Sequence, residues 1–326
     1  MGNGRWRSDD WESYVSRNVH GKHRDEIFTA RGMQDAFNPA RIRVRESRAS
    51  TDNPHPTPII LASDVTGSMG IIAEQLMRDG LNKLAREIYA RKPISDPHIM
   101  IMAVGDAKTD AAPLQATQFE ADIRVAEQAA SLWLEGGGGG NGGESYCAAH
   151  LFAALKTSTD AAEIENRKGF LFTIGDEPVH DGMSRQEIQR VLGLRVEQDL
   201  SGRDCVELAM RHWEVFHIVL TNEGFCAQDP KSVLTSWNRI LPERVIELSD
   251  VRRLAETVIS VIEVSQGADP SKVARSWGGD TTDVIENALR GGRRQTREKH
   301  IDLMSLFGIT RKKGTDDPED DGRYFK

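Results

Sequence analysis

The chain is poor in the residues that define secreted, membrane or disulfide-held proteins. Its 326 residues contain three cysteines, Cys147, Cys205 and Cys226, none at metal-ligand spacing. An odd, sparse count argues against a disulfide scaffold and for a reducing, cytoplasmic setting. No run approaches the roughly 20 apolar residues of a membrane span. The opening MGNGRWRSDDWESY lacks the apolar core of a signal peptide, and Trp6 breaks the N-myristoylation pattern. A basic excess is also missing. The net charge is -8 with both signs mixed along most of the chain, so the composition does not ask for nucleic acid. The apolar share of 38 % is modest and fits a domain carrying polar tails.

What is present is a regular alternation of elements. Residues 1–57 read as an N-terminal arm and linker, with Trp6, Trp11, Tyr14 and Phe28 scattered among charges. RIRVRES (41–47) has the period of a half-exposed strand, and TDNPHPTP (51–58) is a Pro-rich link. From 58 to 265, short apolar runs suited to buried strands alternate with helical periodicity. The runs are PIILASD (58–64), HIMIMAVGD (98–106), GFLFTIGD (169–176), EVFHIVL (214–220) and RVIEL (244–248), with PLQATQFE (113–120) as an edge strand. Met69, Ile72, Leu76, Leu81, Leu84 and Ile88 mark one face of a helix. This predicts an α/β fold: a doubly wound, mostly parallel central sheet with helices on both faces. Residues 266–326 lose apolar content. A short helix capped by Asp280 is expected there, followed by a disordered polar tail.

Three of the strands end in an aspartate, Asp64, Asp106 and Asp176, and ligands of such sheets bind at the carboxyl ends of the strands. Asp64-Val65-Thr66-Gly67-Ser68-Met69 stands where a buried strand turns into a helix. Alternate positions supply one carboxylate and two hydroxyls, hard oxygen donors that suit Mg²⁺, Mn²⁺ or Ca²⁺ rather than Zn²⁺. Capping alone explains one hydroxyl, but not the whole set with matching Asp ends on two other strands.

This motif resembles the metal-ion-dependent adhesion site of von Willebrand factor A (vWA) domains, Asp-x-Ser-x-Ser, in an intracellular prokaryotic or phage type. The resemblance spans roughly 58–265 and includes the closing stretch SWNRILPERVIELSDVRRLAETVISVI. It implies a Rossmann-like fold and one divalent cation, Mg²⁺ first, held by Asp64, Thr66, Ser68, Ser145 and Asp176. Two places depart from the family pattern. Glu144 stands where the family has threonine, with Ser145 next, and Asp176 falls one or two residues late. Ser145 is expected to coordinate and Glu144 to lie just outside. If Glu144 coordinates, the extra charge weakens capture of a partner carboxylate.

Asp106, Asp110, Glu177 and His180 are expected at the rim; a turn role suits the two aspartates and a solvent-facing loop suits His180. His150 and His217 read as satisfied core or sheet histidines. The glycine run 136–140 lacks the ending of a phosphate loop and reads as a flexible rim. The resulting expectation is a non-enzymatic, metal-dependent protein-binding module that captures a partner carboxylate. By resemblance, an AAA+ ATPase of the MoxR type is a candidate partner. The alternatives are a metal-dependent phosphoester hydrolase at the same edge, an RNA-binding protein using the arginines near 41–48, and a phage virion-associated protein.

Overall fold

The computed structural model describes residues 4–136 and 142–290. Six stretches form one sheet: β1 (Thr57–Asp64), β2 (Pro97–Val104), β3 (Leu114–Ala116), β4 (Gly169–Gly175), β5 (Trp213–Leu220) and β6 (Val245–Leu248). Their order is β6-β5-β4-β1-β2-β3. All pairings are parallel except that of β3, an edge strand that sets Leu114 opposite Val104. Every residue of β1, β2 and β4 is buried. Burial on both faces is why these strands read as unbroken apolar runs rather than as alternation.

Parallel strands need long crossovers, and helices supply them. α1 (Ser8–Asn18), α2 (Gly70–Gln75), α3 (Leu81–Arg91) and α4 (Arg124–Ala129) cover one face. α5 (Tyr146–Leu155), α6 (Arg185–Leu192), α7 (Gly202–Ala209) and α8 (Pro230–Ile240) cover the other. α9 (Leu254–Ser265), α10 (Pro270–Trp277) and α11 (Gly279–Arg290) return to the first face. In β1, Ile59 and Leu61 join the first core with Ile72, Leu84 and Val258, while Ile60 and Ala62 join the second with Phe152 and Trp237. The sheet is doubly wound, as the sequence predicts.

Strand order reverses between β1 and β4: the chain leaves β1 toward β2 and leaves β4 toward β5. Ligand sites of open α/β sheets form outside the carboxyl ends of such a switch point. Asp64 closes β1, and Asp176 follows directly on β4.

The N-terminal residues pack onto this body. Trp6, Trp11, Tyr14, Phe28 and Phe37 are buried in the first core, with the Trp6 and Trp11 ring centroids 5.4 Å apart. The strand expected over 41–47 is only Arg45–Ser47, paired in parallel with Thr157–Thr159. Buried Lys156 donates through Nζ to the Pro39 carbonyl at 2.7 Å, and Arg48 pairs with Asp160 at 2.8 Å.

Other elements differ from expectation. The helix read across 69–89 passes through a π turn at Leu76–Gly80 between α2 and α3. A two-residue antiparallel pair joins Gly182–Met183 to Leu200–Ser201. α10 was not expected, although Asp269 caps it and Pro270 opens it. Asp280, expected as a cap, lies inside the first turn of α11. Residues 137–140 of the glycine run, the basic stretch 291–299 and the polar tail lie outside the described residues.

Candidate metal centre

Asp64 is fully buried at the end of β1, flanked by Val104 of β2 and the end of β4. The chain then turns sharply. Gly67 takes φ +48°, a left-handed conformation glycine adopts at little cost, and a 3-10 turn (Gly67–Met69) leads into α2. The turn folds Thr66 back, so that Asp64 Oδ1 accepts both the Thr66 N–H at 2.8 Å and its hydroxyl at 2.7 Å.

Glu144 reaches the same point from another loop. Its N–H donates to the Pro178 carbonyl at 3.0 Å, and its carbonyl accepts from the His180 N–H at 3.2 Å, a parallel bridge to the loop after β4. Gly143 permits the approach: a Cβ there would stand 3.0 Å from the Pro178 oxygen and 3.2 Å from the His180 ring. So held, Glu144 sets Oε1 3.1 Å from the Thr66 hydroxyl oxygen, while Oε2 is buried without a partner. One hydroxyl hydrogen therefore faces two carboxylate oxygens and can serve one at a time.

Tyr146, in the first turn of α5, completes the group by donating its hydroxyl to Asp64 Oδ2 at 3.3 Å. Gly175 makes room: a Cβ on it would overlap the Tyr146 hydroxyl and lie 3.1 Å from Asp64 Cβ. Behind Tyr146, His217 stacks on Trp237 with centroids 3.4 Å apart, and His217 Nδ1 meets the Thr173 hydroxyl at 2.9 Å. The His217 reading as a sheet histidine fits its burial, although Nε2 has no partner. His150 is also fully buried, with neither ring nitrogen partnered.

Asp176 is buried beside this group. Its Oδ2 accepts the Phe225 N–H, and its Oδ1 has no partner. Burial drives the acidity of the whole edge. It pushes Asp64 up to about 8 against two Thr66 hydrogen bonds, with the charges of Asp176 and Glu177 adding to it. Burial, then Asp64, then Glu177 push Glu144 up to about 10. Asp176 and half-buried Glu177 are raised chiefly by burial as well. The charges that act most strongly on Asp64 and Glu144 are other carboxylates.

A second acidic group lies beside the first. Asp106 Oδ1 accepts the Ser145 hydroxyl at 2.8 Å and the Lys108 N–H at 3.1 Å, and lies 3.1 Å from His180 Nε2. Asp110 Oδ2 accepts the Asp106 N–H at 2.7 Å, and Thr109 bridges the two carboxylates. Glu144 and Ser145, adjacent in the chain, turn toward different acidic groups. The Ser145 hydroxyl serves Asp106 and the Ala107 N–H at 2.8 Å, whereas Glu144 meets Thr66. The reason is geometric: Glu144 lies in an extended bridge, where successive side chains point to opposite sides. His180 is largely buried and turned to Asp106, not to solvent. The side chain of Ser68 lies outside the described residues.

Among the described residues, no three His, Cys, Asp or Glu side chains converge closely enough to hold a metal ion by themselves. The set that does converge mixes two carboxylates with a threonine hydroxyl, and orphaned carboxylate oxygens remain on Glu144 and Asp176. Hard oxygen donors with unsatisfied lone pairs fit a small divalent cation. Sequence reasoning missed Tyr146, which reads as an apolar residue of α5, and the two glycines whose missing side chains admit Tyr146 and Glu144.

No family model matches the chain, and no curated protein matches it. Solved structures do. Two forms of the pilus adhesin SpaC from Lactobacillus rhamnosus GG each match 75 % of this chain at 10 % identity, with TM-scores of 0.37 and 0.39. An aerotolerance-related membrane protein from Bacteroides fragilis NCTC 9343 matches 64 % of this chain and 99 % of its own at 12 % identity, with a TM-score of 0.35. The chain spans 31–32 % of the adhesin's length. Likenesses this distant carry no argument about function.

Proposed function

We propose that the chain is a vWA-type binding module whose sheet edge holds one divalent cation and offers it to a protein partner. The observation that carries this reading is the Thr66 hydroxyl set between the carboxylates of Asp64 and Glu144, with Glu144 Oε2 and Asp176 Oδ1 buried and unpartnered beside it. A buried polar atom without a partner costs about 1–3 kcal/mol, more when charged, and a cation at this point offsets that cost. The Asp-x-Thr-x-Ser loop between β1 and α2 and the switch-point position support the family reading.

Asp64, Thr66 and Glu144 would hold the ion, with Asp176 facing it. Bound Mg²⁺ supplies a Lewis-acidic point that accepts an oxygen from outside. Two ionised carboxylates already balance a divalent charge. A partner carboxylate is therefore held less tightly here than by a site built mainly of hydroxyls. The test is calorimetric titration with Mg²⁺ and Mn²⁺ of the wild type, Asp64→Ala and Glu144→Gln. Saturable one-site binding that is lost in Asp64→Ala is the expected result. A wild type that takes up neither ion ends the reading.

The nearness of Glu144 to Asp64 also favours a second reading, metal-dependent phosphoester hydrolysis, because shared carboxylates suit that chemistry. His180 Nε2 lies 3.1 Å from Asp106 Oδ1, a pairing that orients its ring beside this edge. Mn²⁺-dependent turnover of bis(p-nitrophenyl) phosphate, absent in Asp64→Ala, would establish this second reading.

A further inference from the structure

We infer that Cys147 and Cys205 are a site of reversible oxidation, a thiol pair that closes into one disulfide between α5 and α7. The inference stands apart from the cation reading. Three cysteines are too few for a scaffold, but two that meet suffice for a latch. α5 and α7 pack against each other in the second core, where both residues are fully buried. The His180 carbonyl marks where they meet. The Cys147 thiol points to it, with Sγ 3.9 Å from the oxygen. From the other side, a Cβ on Gly202 would stand 3.4 Å from the same oxygen. Cys205 lies three positions after Gly202 in α7, and residues three apart share a helix face. The two thiols hydrogen-bond, with Cys205 donating and Cys147 accepting. His180 itself keeps some exposure, so the Cys147 sulfur lies one residue beneath the surface.

The pair is asymmetric in the way such chemistry needs. Burial pushes the Cys226 thiol up to about 11 and raises Cys205 as well. Cys147 goes the other way: the Cys205 hydrogen bond holds it below the ordinary thiol range, and His150 and His180 add to this. Cys147 is therefore the nucleophile and Cys205 the resolving thiol. The oxidant is a small two-electron one, hydrogen peroxide. The Cys147 thiolate attacks one peroxide oxygen and the O–O bond breaks. Hydroxide leaves and takes up the thiol proton as water, and Cys147 becomes a sulfenic acid. Cys205 then attacks that sulfur. The S–O bond breaks, and a second hydroxide leaves with the Cys205 proton. Two thiols and one peroxide thus give one disulfide and two waters, and a dithiol reductant reverses the step. The bond closes the chain over β4 and α6. It also braces the loop after β4, where the Gly202 N–H donates to the Asp181 carbonyl at 2.6 Å and the His180 N–H to Glu144.

The test treats the folded full chain with hydrogen peroxide, then denatures it, alkylates the remaining thiols and maps the peptides by mass spectrometry without reductant. The wild type is expected to stay monomeric, to become two hydrogens lighter, and to join Cys147 to Cys205 with Cys226 alkylated. A dithiol should restore all three thiols. The cross-linked chain should melt about 5 °C or more above the reduced one, because the bond ties helices already in contact. Cys226→Ala should form the same bond. Cys205→Ala should stop at a Cys147 sulfenic acid that dimedone captures. The wild-type map decides the matter by itself if a variant fails to fold. Three alkylated thiols after peroxide overturn the inference, as does a bond that involves Cys226 or a second chain. Sulfinic acid on Cys147 with no bond to Cys205 overturns it too, and so does a cross-linked chain that melts below the reduced form.

Discussion

Two acidic groups sit side by side at the carboxyl edge of the sheet, and they differ in how their oxygens are satisfied. Around Asp106 and Asp110, donors converge from Ser145, Thr109, Lys108 and His180, and both carboxylates are tied into the loop after β2. Around Asp64 and Glu144, one threonine hydroxyl serves two carboxylates, and Glu144 Oε2 and Asp176 Oδ1 have no partner. Burial is similar in the two groups. The contrast shows that the presence of acids does not by itself mark a cation site. What marks it is a deficit of donors at buried oxygens, and of these two groups the one around Asp64 and Glu144 has it.

The contrast can be broken most forcefully at Asp64. Asp64→Ala should lower Mn²⁺ affinity by more than the roughly 10–100-fold that outer contacts of metal ligands are worth. Calorimetry checks this, and an unchanged affinity would place any cation elsewhere.

Titration of stability separates the acidic edge from ordinary acid unfolding. Burial lowers His98 to about 4, and its Nδ1 meets the Ser47 hydroxyl. The folded state therefore binds fewer protons than the unfolded state between about 6.5 and about 4. Stability tied to His98 is complete above about 6.5 and is lost as pH falls through that window, by on the order of 3 kcal/mol. His98→Gln should flatten that part of the urea-unfolding profile. The acids have the opposite sign. Asp64 and Glu144 are raised to about 8 and about 10, so their stability is present below the unfolded carboxylate pKa of about 4 and is lost as pH rises. A bound cation needs the deprotonated forms. The thermal shift produced by Mg²⁺ should therefore be larger at pH 8 than at pH 5, and equal shifts would count against these ligands.

Gly175→Ala addresses the Tyr146 support. A Cβ there overlaps the Tyr146 hydroxyl that reaches Asp64, so unfolding should become easier by about 1–3 kcal/mol, with weakened cation uptake. Denaturant titration with and without Mg²⁺ reads both effects. The smallest change belongs to the satisfied group. Ser145→Ala removes the hydrogen bond to Asp106 and should cost about 1 kcal/mol of stability while leaving cation affinity within about threefold. A large drop in affinity would restore Ser145 as a ligand and erase the distinction between the groups.

Much of the architecture was legible because buried parallel strands write themselves as unbroken apolar runs. PIILASD and GFLFTIGD announced β1 and β4, and their terminal aspartates marked the switch point. The side-chain partners of Glu144 and Ser145 were not legible. They depend on the bridge between Glu144 and Val179, a pairing between segments 35 positions apart that decides which of two adjacent side chains turns toward Asp64. Tyr146 escaped notice because a hydroxyl at the far end of a buried aromatic ring leaves no trace in apolar periodicity. The helix α10 did carry its signals, Asp269 then Pro270, but they stood in a stretch whose polar composition suggested a tail.

The most direct measurement is anomalous diffraction from crystals of the full chain soaked in Mn²⁺. A single anomalous peak is expected within coordinating distance of Asp64, Thr66 and Glu144, on the side facing Asp176. No peak at that point, or a peak lodged instead between Asp106 and Asp110, would contradict the assignment of the cation to the donor-poor group.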